Sequence, residues 1–102
     1  MLTHVVLFWL KPDAPADTAT RLIGRAQAEL TGIPGVRHLN AGAPIPTTRA
    51  IVDTSYQVGL SMQFANAEEL DAYQIHPVHQ RYVKECVQPN TSKVLVYDFT
   101  AP

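Results

Sequence analysis

The chain has little of what marks several large protein classes. Its 102 residues include a single cysteine, Cys86, so no intramolecular disulfide can form, and one free thiol fits a reducing compartment. Eight Lys and Arg residues against nine Asp and Glu give a formal net charge of −1, which leaves no basic excess for binding nucleic-acid phosphates. Gly-rich phosphate loops, Cys-x-x-Cys pairs and the nucleophile elbow of hydrolases are absent as well.

Long apolar runs are also missing. The longest, residues 2–10, is far shorter than the roughly 20 residues that a membrane-spanning helix needs. It lacks the basic start and the small-residue cleavage site of a signal peptide, so we expect a cytoplasmic protein in which this run is a buried strand.

Hydrophobic residues make up 46% of the chain and charged residues 17%, which excludes a disordered chain. The length predicts one domain over residues 1–102.

The order of hydrophobic patterns along the chain predicts an α+β domain. A first strand is followed by a helix over residues 15–31, and two further strands precede a second helical region. Because the residue before a proline avoids helical geometry, Pro77 breaks that region into one helix ending near 74–76 and another beginning at Pro77. The predicted strands span residues 2–10, 35–43, 55–64 and 93–100. This β-α-β-β-α-β order is ferredoxin-like, with a four-stranded antiparallel sheet.

The first strand is apolar on both of its faces. Its residues alternate between two sets: His4, Val6, Phe8 and Leu10 on one face, and Thr3, Val5, Leu7 and Trp9 on the other. In a ferredoxin-like domain the helices cover one face of the sheet, so an apolar second face needs a partner. A second copy of the chain is the simplest one, because a symmetric pair buries a repeated patch. We therefore expect a homodimer, and neither a nucleic-acid nor a membrane partner.

Several segments carry a pattern found in a known family. The most specific is Tyr-x-x-His-Pro-x-His at residues 73–79. The supporting segments are His4 to Phe8, Gly35-Val36 with Gly42, Phe64, and Val96 to Phe99. In this order, over nearly the whole chain, the sequence resembles the stress-responsive dimeric α/β-barrel (Dabb) family. The resemblance implies a ferredoxin-like subunit, with its second helix broken at His76-Pro77, whose sheet joins that of a second subunit in a barrel.

The resemblance also implies a site. In a cofactor-free polyketide cyclase of this family, the tyrosine and the last histidine of the motif are catalytic, and a histidine early in the first strand lines the same pocket. The matching residues here are Tyr73, His79 and His4. Neutral imidazole is a base near neutral pH, and a tyrosine hydroxyl can hydrogen-bond a developing oxyanion. We predict these three residues as catalytic and the following as ligand-binding: Val6, Phe8, Val58, Leu60, His76 and Val83.

These residues are compatible with two functions of different classes. One is a small cofactor-free enzyme, a lyase or cyclase that acts by acid/base chemistry on a small apolar carbonyl compound. The other is a non-catalytic ligand-binding or stress-response protein with the same pocket. In the second interpretation His76 caps a helix, His79 bonds a backbone carbonyl and Tyr73 is an ordinary half-buried aromatic residue.

Two further points concern ligation and charge. His4, His76 and His79 could in principle bind zinc, but Pro77 lies between two of them and no carboxylate accompanies them in the sequence, so we expect no metal and no cofactor. Asp98 in the last strand either lies beside His4 or is a solvated carboxylate at the end of a strand.

Overall fold

Strand β1 (Leu2–Leu10) lies inside a four-stranded antiparallel sheet in a computed structural model that describes all of residues 1–102. The sheet order is β2-β3-β1-β4, with β2 spanning Arg37–Gly42, β3 Val58–Phe64 and β4 Thr91–Thr100. Strand β1 is paired along both edges, and it buries His4, Val6 and Phe8 on one face while the side chains of its other face are only partly buried. The predicted α+β, ferredoxin-like architecture is confirmed.

Three helices connect the strands. Helix α1 (Thr18–Glu29) runs into a 3₁₀ turn at Leu30–Gly32, and α2 (Ala67–Ile75) is followed directly by α3 (Pro77–Tyr82). A π-helical turn, Val83–Val87, continues α3 toward β4. The helices cover the face of the sheet from which the buried side chains of β1 and β3 project. No helix is both long and apolar enough to cross a bilayer.

Element boundaries differ from the sequence prediction where side chains cap local turns. The third strand was predicted from residue 55 but begins at Val58, because the carboxylate of Asp53 accepts a hydrogen bond from the Ser55 amide and holds a turn there. The second strand was predicted from residue 35 but begins at Arg37, after Gly35 in a left-handed conformation with φ of 92°. The predicted faces of β1 and β3 are kept, because their buried and partly buried residues alternate. Strand β2 departs from alternation at a register shift: Arg37 and Asn40 pair with Gln63 and Ser61 on one face of β3, although strict alternation places them on opposite faces.

The break between α2 and α3 falls at the predicted position. His76 has an extended backbone, with φ of −64° and ψ of 138°, and Pro77 occupies the first turn of α3. The imidazole Nδ1 of His76 accepts a hydrogen bond from the Val78 amide at 3.1 Å. His76 is therefore the N-terminal cap of α3, since it satisfies an amide that has no partner within the helix.

The two faces of β1 meet different surroundings. His4, Val6 and Phe8 are buried against the helices. The opposite face, which we call the open sheet face, is formed by Thr3, Val5, Leu7, Trp9, Leu95, Tyr97 and Phe99. Of these, Tyr97 is 56% exposed and Phe99 62% exposed, which is unusual for large aromatic side chains. Such an apolar surface is typical of an interaction site.

Replacing His76 tests the cap. We expect His76→Ala to lower the free energy of unfolding by about 1 kcal/mol, because the Val78 amide loses its acceptor. His76→Asn keeps a side-chain acceptor of a favoured capping type and should stay close to the unmodified protein. Urea denaturation followed by circular dichroism measures both. Equal destabilisation by the two substitutions would contradict the capping role.

Candidate functional site

A cavity of about 340 Å³ lies between the sheet and the helices, on the side of β4. Strand β1 forms its floor, while α2, α3 and the π-helical turn form the opposite wall. The predicted residues that line it are His4, Val6, Phe8, Leu60, Tyr73, His79 and Val83. Most of the remaining surface is aliphatic, so the few polar atoms in the cavity determine how a ligand is oriented.

Two predicted ligand-binding residues do not line the cavity. Val58 is fully buried in the core, where no ligand can reach it without displacing packed side chains. The ring of His76 caps α3 instead of facing the cavity. The sequence predicts which face of a strand a residue lies on and where a helix breaks. It does not predict which part of the sheet the helices leave uncovered.

The wall opposite the sheet is fixed to helix α1 by polar contacts. The Tyr82 hydroxyl donates a buried hydrogen bond to the Leu22 carbonyl at 2.7 Å. Arg25 donates to Glu85 at 2.9 Å and thus ties α1 to the π-helical turn. That turn places Val83 and Val87 on the cavity together, since a wider helix keeps residues four apart on one face.

His4 is almost fully buried, with 2% of its surface exposed. Its Nδ1 lies 2.5 Å from Oδ1 of Asp98, the residue directly opposite on β4. A carboxylate accepts, so the imidazole Nδ1 carries the hydrogen and donates it. The sequence pattern is compatible with Asp98 either beside His4 or solvated at the strand end, because alternation alone does not give the register of β1 against β4.

Tyr73 lies between the two histidines. Its ring centroid is 4.5 Å from that of His79 and 6.1 Å from that of His4. Burial raises the pKa of the Tyr73 hydroxyl well above its ordinary range, so the group stays protonated and can donate a hydrogen bond. Tyr73 lies at the end of α2, and His79 at the start of α3, because the chain turns at Pro77.

His79 is held by a backbone carbonyl. Its Nδ1 lies 3.0 Å from the carbonyl oxygen of Gln74, which can only accept, so Nδ1 carries the hydrogen and Nε2 carries the lone pair. Burial lowers the pKa of His79 below its usual 6.5, and the hydrogen bond to Gln74 only partly opposes this. The ring is therefore a neutral base at neutral pH.

Three polar atoms remain without a partner in the chain: the Tyr73 hydroxyl and the Nε2 atoms of His4 and His79. Thr18 carries the one side-chain oxygen or nitrogen that is both unpaired and sealed from solvent, so the three atoms of the site border open space. Two imidazole nitrogens and a hydroxyl thus face one apolar cavity. This arrangement can accept a proton from a ligand and stabilise negative charge on an oxygen.

The histidines of the motif are the side chains from which a metal site could be built. The structure contains no group of three or more His, Cys, Asp or Glu side chains arranged to hold a metal ion. Sequence reasoning also did not name Val94 and Val96 of β4, which line the cavity although they are 40% and 48% exposed. They share a face with Val6 and Phe8, but only the strand register places them at the opening.

The fold is shared with solved structures of other organisms. A dimeric ferredoxin-like protein of unknown function from Thermobifida fusca superposes with a TM-score of 0.81 at 18% identity, over 98% of this chain and 90% of that chain. A hydroxynitrile lyase from Passiflora edulis gives a TM-score of 0.81 at 14% identity, over 99% and 96% of the two chains. At these identities the similarity concerns the fold.

Sequence comparison identifies the family. A stress-response A/B barrel domain-containing protein of Arabidopsis thaliana is 31% identical over 101 residues, which make up 99% of this chain and 37% of that protein. The chain thus spans well under half the length of this relative. The family model described as the stress responsive A/B barrel domain matches residues 2–101. The chain therefore belongs to the stress-responsive A/B barrel (Dabb) family, as its Tyr-x-x-His-Pro-x-His motif predicts.

Proposed function

We propose that the protein is a cofactor-independent enzyme of the lyase or cyclase type, acting by acid/base chemistry on a small apolar carbonyl compound. The observation that carries this proposal is the pairing of a neutral, carbonyl-anchored His79 with a protonated Tyr73 at one end of an apolar cavity. Pairs of groups whose environments suit one to accept and the other to donate a proton are typical of acid/base sites.

The chemistry follows from the free atoms. Nε2 of His79 takes a proton from an acidic C–H or O–H bond of the ligand. From a C–H bond beside the carbonyl group the electron pair moves into the new C–C double bond and the carbonyl π electrons move onto oxygen, whereas from an O–H bond the pair stays on the hydroxyl oxygen. The Tyr73 hydroxyl donates a hydrogen bond to that oxygen as it gains charge. His4 holds the ligand from the strand side. The lining is mostly apolar, and an apolar lining strengthens both interactions relative to bulk water.

The hydroxynitrile lyase of Passiflora edulis supports the proposal in one respect. It has the same fold, so this architecture is compatible with a lyase. Its 14% identity carries no substrate over to this chain, and the substrate class proposed here rests on the apolar lining and the polar atoms of the cavity.

The alternative is a non-catalytic role in binding a small ligand or in a stress response. Two contacts that this interpretation predicts are present, since His76 caps α3 and His79 bonds the Gln74 carbonyl. The aliphatic wall, in which valines of β1, β4 and the π-helical turn face one another, also favours this role, because it suits apolar binding without chemistry. The two functions differ in one measurable property, the ability to abstract a proton from a bound ligand.

Proton abstraction can be measured without knowing the natural substrate. We expect the protein to accelerate exchange of the α-hydrogens of 4-phenylbutan-2-one for deuterium in D₂O, followed by proton NMR. His79→Ala should reduce this acceleration about 10²–10⁴-fold by removing the base, and Tyr73→Phe about 10²–10³-fold by removing the oxyanion donor.

A matched control separates chemistry from folding. His38→Ala removes an exposed histidine of β2 that does not line the cavity, and it should leave the exchange rate unchanged. Saturable binding of the ketone with no acceleration of exchange would favour the non-catalytic alternative. Full activity in both His79→Ala and Tyr73→Phe would refute the acid/base assignment.

The pH dependence of exchange reports on the same two groups. His79 acts as a base only when deprotonated, and its pKa lies below the usual 6.5, so activity should be constant at neutral pH and fall on acidification with a midpoint below 6.5. Tyr73 acts when protonated, and its pKa is raised from 10.0, so no alkaline loss is expected below pH 10. A midpoint above 6.5 would contradict the role of His79.

We further propose that the open sheet face pairs with a second copy of the chain. Tyr97 and Phe99 are more than half exposed on this face, and a broad depression of about 340 Å³ beside Val5, Leu7 and Tyr56 can receive side chains of a partner. The Thermobifida fusca protein of the same fold is described as dimeric. A symmetric pair buries each copy of the patch against the other.

Light scattering tests the pair. We expect a mass of about twice 11.2 kDa at micromolar concentration. Leu7→Lys places a charge at the centre of the open sheet face and should yield a folded monomer, whereas Gln27→Lys on the exposed side of α1 should remain dimeric. A folded monomer at all concentrations of the unmodified protein would refute this proposal.

A further inference from the structure

The hydrogen bond between His4 and Asp98 joins the cavity to the outer edge of the sheet. The His4 side chain is almost fully buried, whereas that of Asp98 is 39% exposed on the edge strand β4. Burial of an imidazole is costly unless its polar atoms are paired, and Asp98 is the one side chain that hydrogen-bonds to His4. The strands do not need this bond for their alignment, because β1 and β4 pair from Leu2–Thr100 to Leu10–Thr91.

The bond also determines which nitrogen of His4 faces the cavity as an acceptor. With Nδ1 donating to the carboxylate, the neutral form of the ring has its lone pair on Nε2. The Gln74 carbonyl has the same effect on His79 from the opposite wall. The cavity therefore presents two acceptor nitrogens, and the Tyr73 hydroxyl is the donor between them.

Charge limits the ligand further. The lining of the cavity includes no lysine or arginine, and the nearest ionised group to His4 is the Asp98 carboxylate. The other groups around His4 are Tyr73 from α2, Phe64 from β3 and His79 from α3. A ligand carboxylate would meet no cation in the cavity, and the Asp98 carboxylate, which lies behind His4, would repel it.

We propose that Asp98 is a positioning residue that fixes His4 as a second hydrogen-bond acceptor, and that the site takes a neutral ligand with a hydroxyl group beside its carbonyl group. The ligand class rests on the proposed function, because the carbonyl group is assigned through Tyr73 and His79. The hydroxyl donates to Nε2 of His4, while the carbonyl oxygen accepts from Tyr73.

The tautomer of His4 is measured directly by ¹⁵N NMR of the imidazole rings. We expect the Nδ1–H form in the unmodified protein and its loss in Asp98→Ala. Asp98→Asn retains an acceptor oxygen and should restore the Nδ1–H form, and Asp71→Ala, an exposed carboxylate of α2, is the control. A doubly protonated ring, or the same tautomer in Asp98→Ala, would overturn the positioning role.

Ligand preference is measured with three probes that share a 2-phenylethyl group attached to the carbonyl or carboxylate carbon. They are 1-hydroxy-4-phenylbutan-2-one, its methyl ether, and 3-phenylpropanoate as the anion. We expect the hydroxyketone to bind about tenfold more tightly than the ether in titration calorimetry, and the anion more weakly than either. In Asp98→Ala the preference for the hydroxyketone should disappear, and in Asp98→Asn it should return.

The outcomes separate this inference from the proposed function. Exchange catalysis with no hydroxyl preference would retain the function and refute the inference. A hydroxyl preference that depends on Asp98, without any exchange catalysis, would retain the acceptor role of His4 and refute the enzyme proposal. Tight binding of the carboxylate probe would overturn the assigned ligand class.

Discussion

Pro77 has no amide hydrogen and forces His76 into an extended conformation, and the geometry of one cavity wall follows from this constraint. Helix α2 has to end at Ile75, which leaves carbonyls of its last turn without helical donors. Nδ1 of His79, in the first turn of α3, donates to one of them, the Gln74 carbonyl. The helix break therefore both brings Tyr73 next to His79 and fixes the hydrogen on the imidazole. A continuous helix would provide neither.

The buried imidazole of His4, on the opposite wall of the cavity, also needs a hydrogen-bond partner, and its partner is a side chain instead of a backbone carbonyl. An imidazole on a buried strand has no free backbone carbonyl nearby, because the ladder hydrogen bonds use them. His4 instead pairs with the side chain of Asp98 across the β1–β4 ladder. In both histidines one nitrogen is satisfied by the protein and the other is left to the cavity. Both imidazoles can thus be buried while the Nε2 atom of each ring has no hydrogen-bond partner within the chain.

Local features of this site could be predicted from the sequence, and non-local ones could not. Alternation along β1 identifies His4, Val6 and Phe8 as one face, and the proline identifies the break that joins Tyr73 to His79. Val58 and Leu60 share a face of β3 in the same way and are both buried, yet only Leu60 lines the cavity, and alternation does not distinguish them. The register that pairs His4 with Asp98 depends on how distant strands meet, which alternation does not specify.

Strand β4 connects the two surfaces to which function is attributed. Val94 and Val96 line the cavity and Asp98 bonds His4 on the same face of the sheet, whereas Leu95, Tyr97 and Phe99 lie on the open sheet face. The strand is paired on one edge only, so contacts with a second subunit would restrict its motion in a way that β1 alone does not. Under the two proposals above, the surface that pairs with a second subunit and the Asp98 carboxylate that bonds His4 would therefore share one edge strand, in adjacent residues on its two faces.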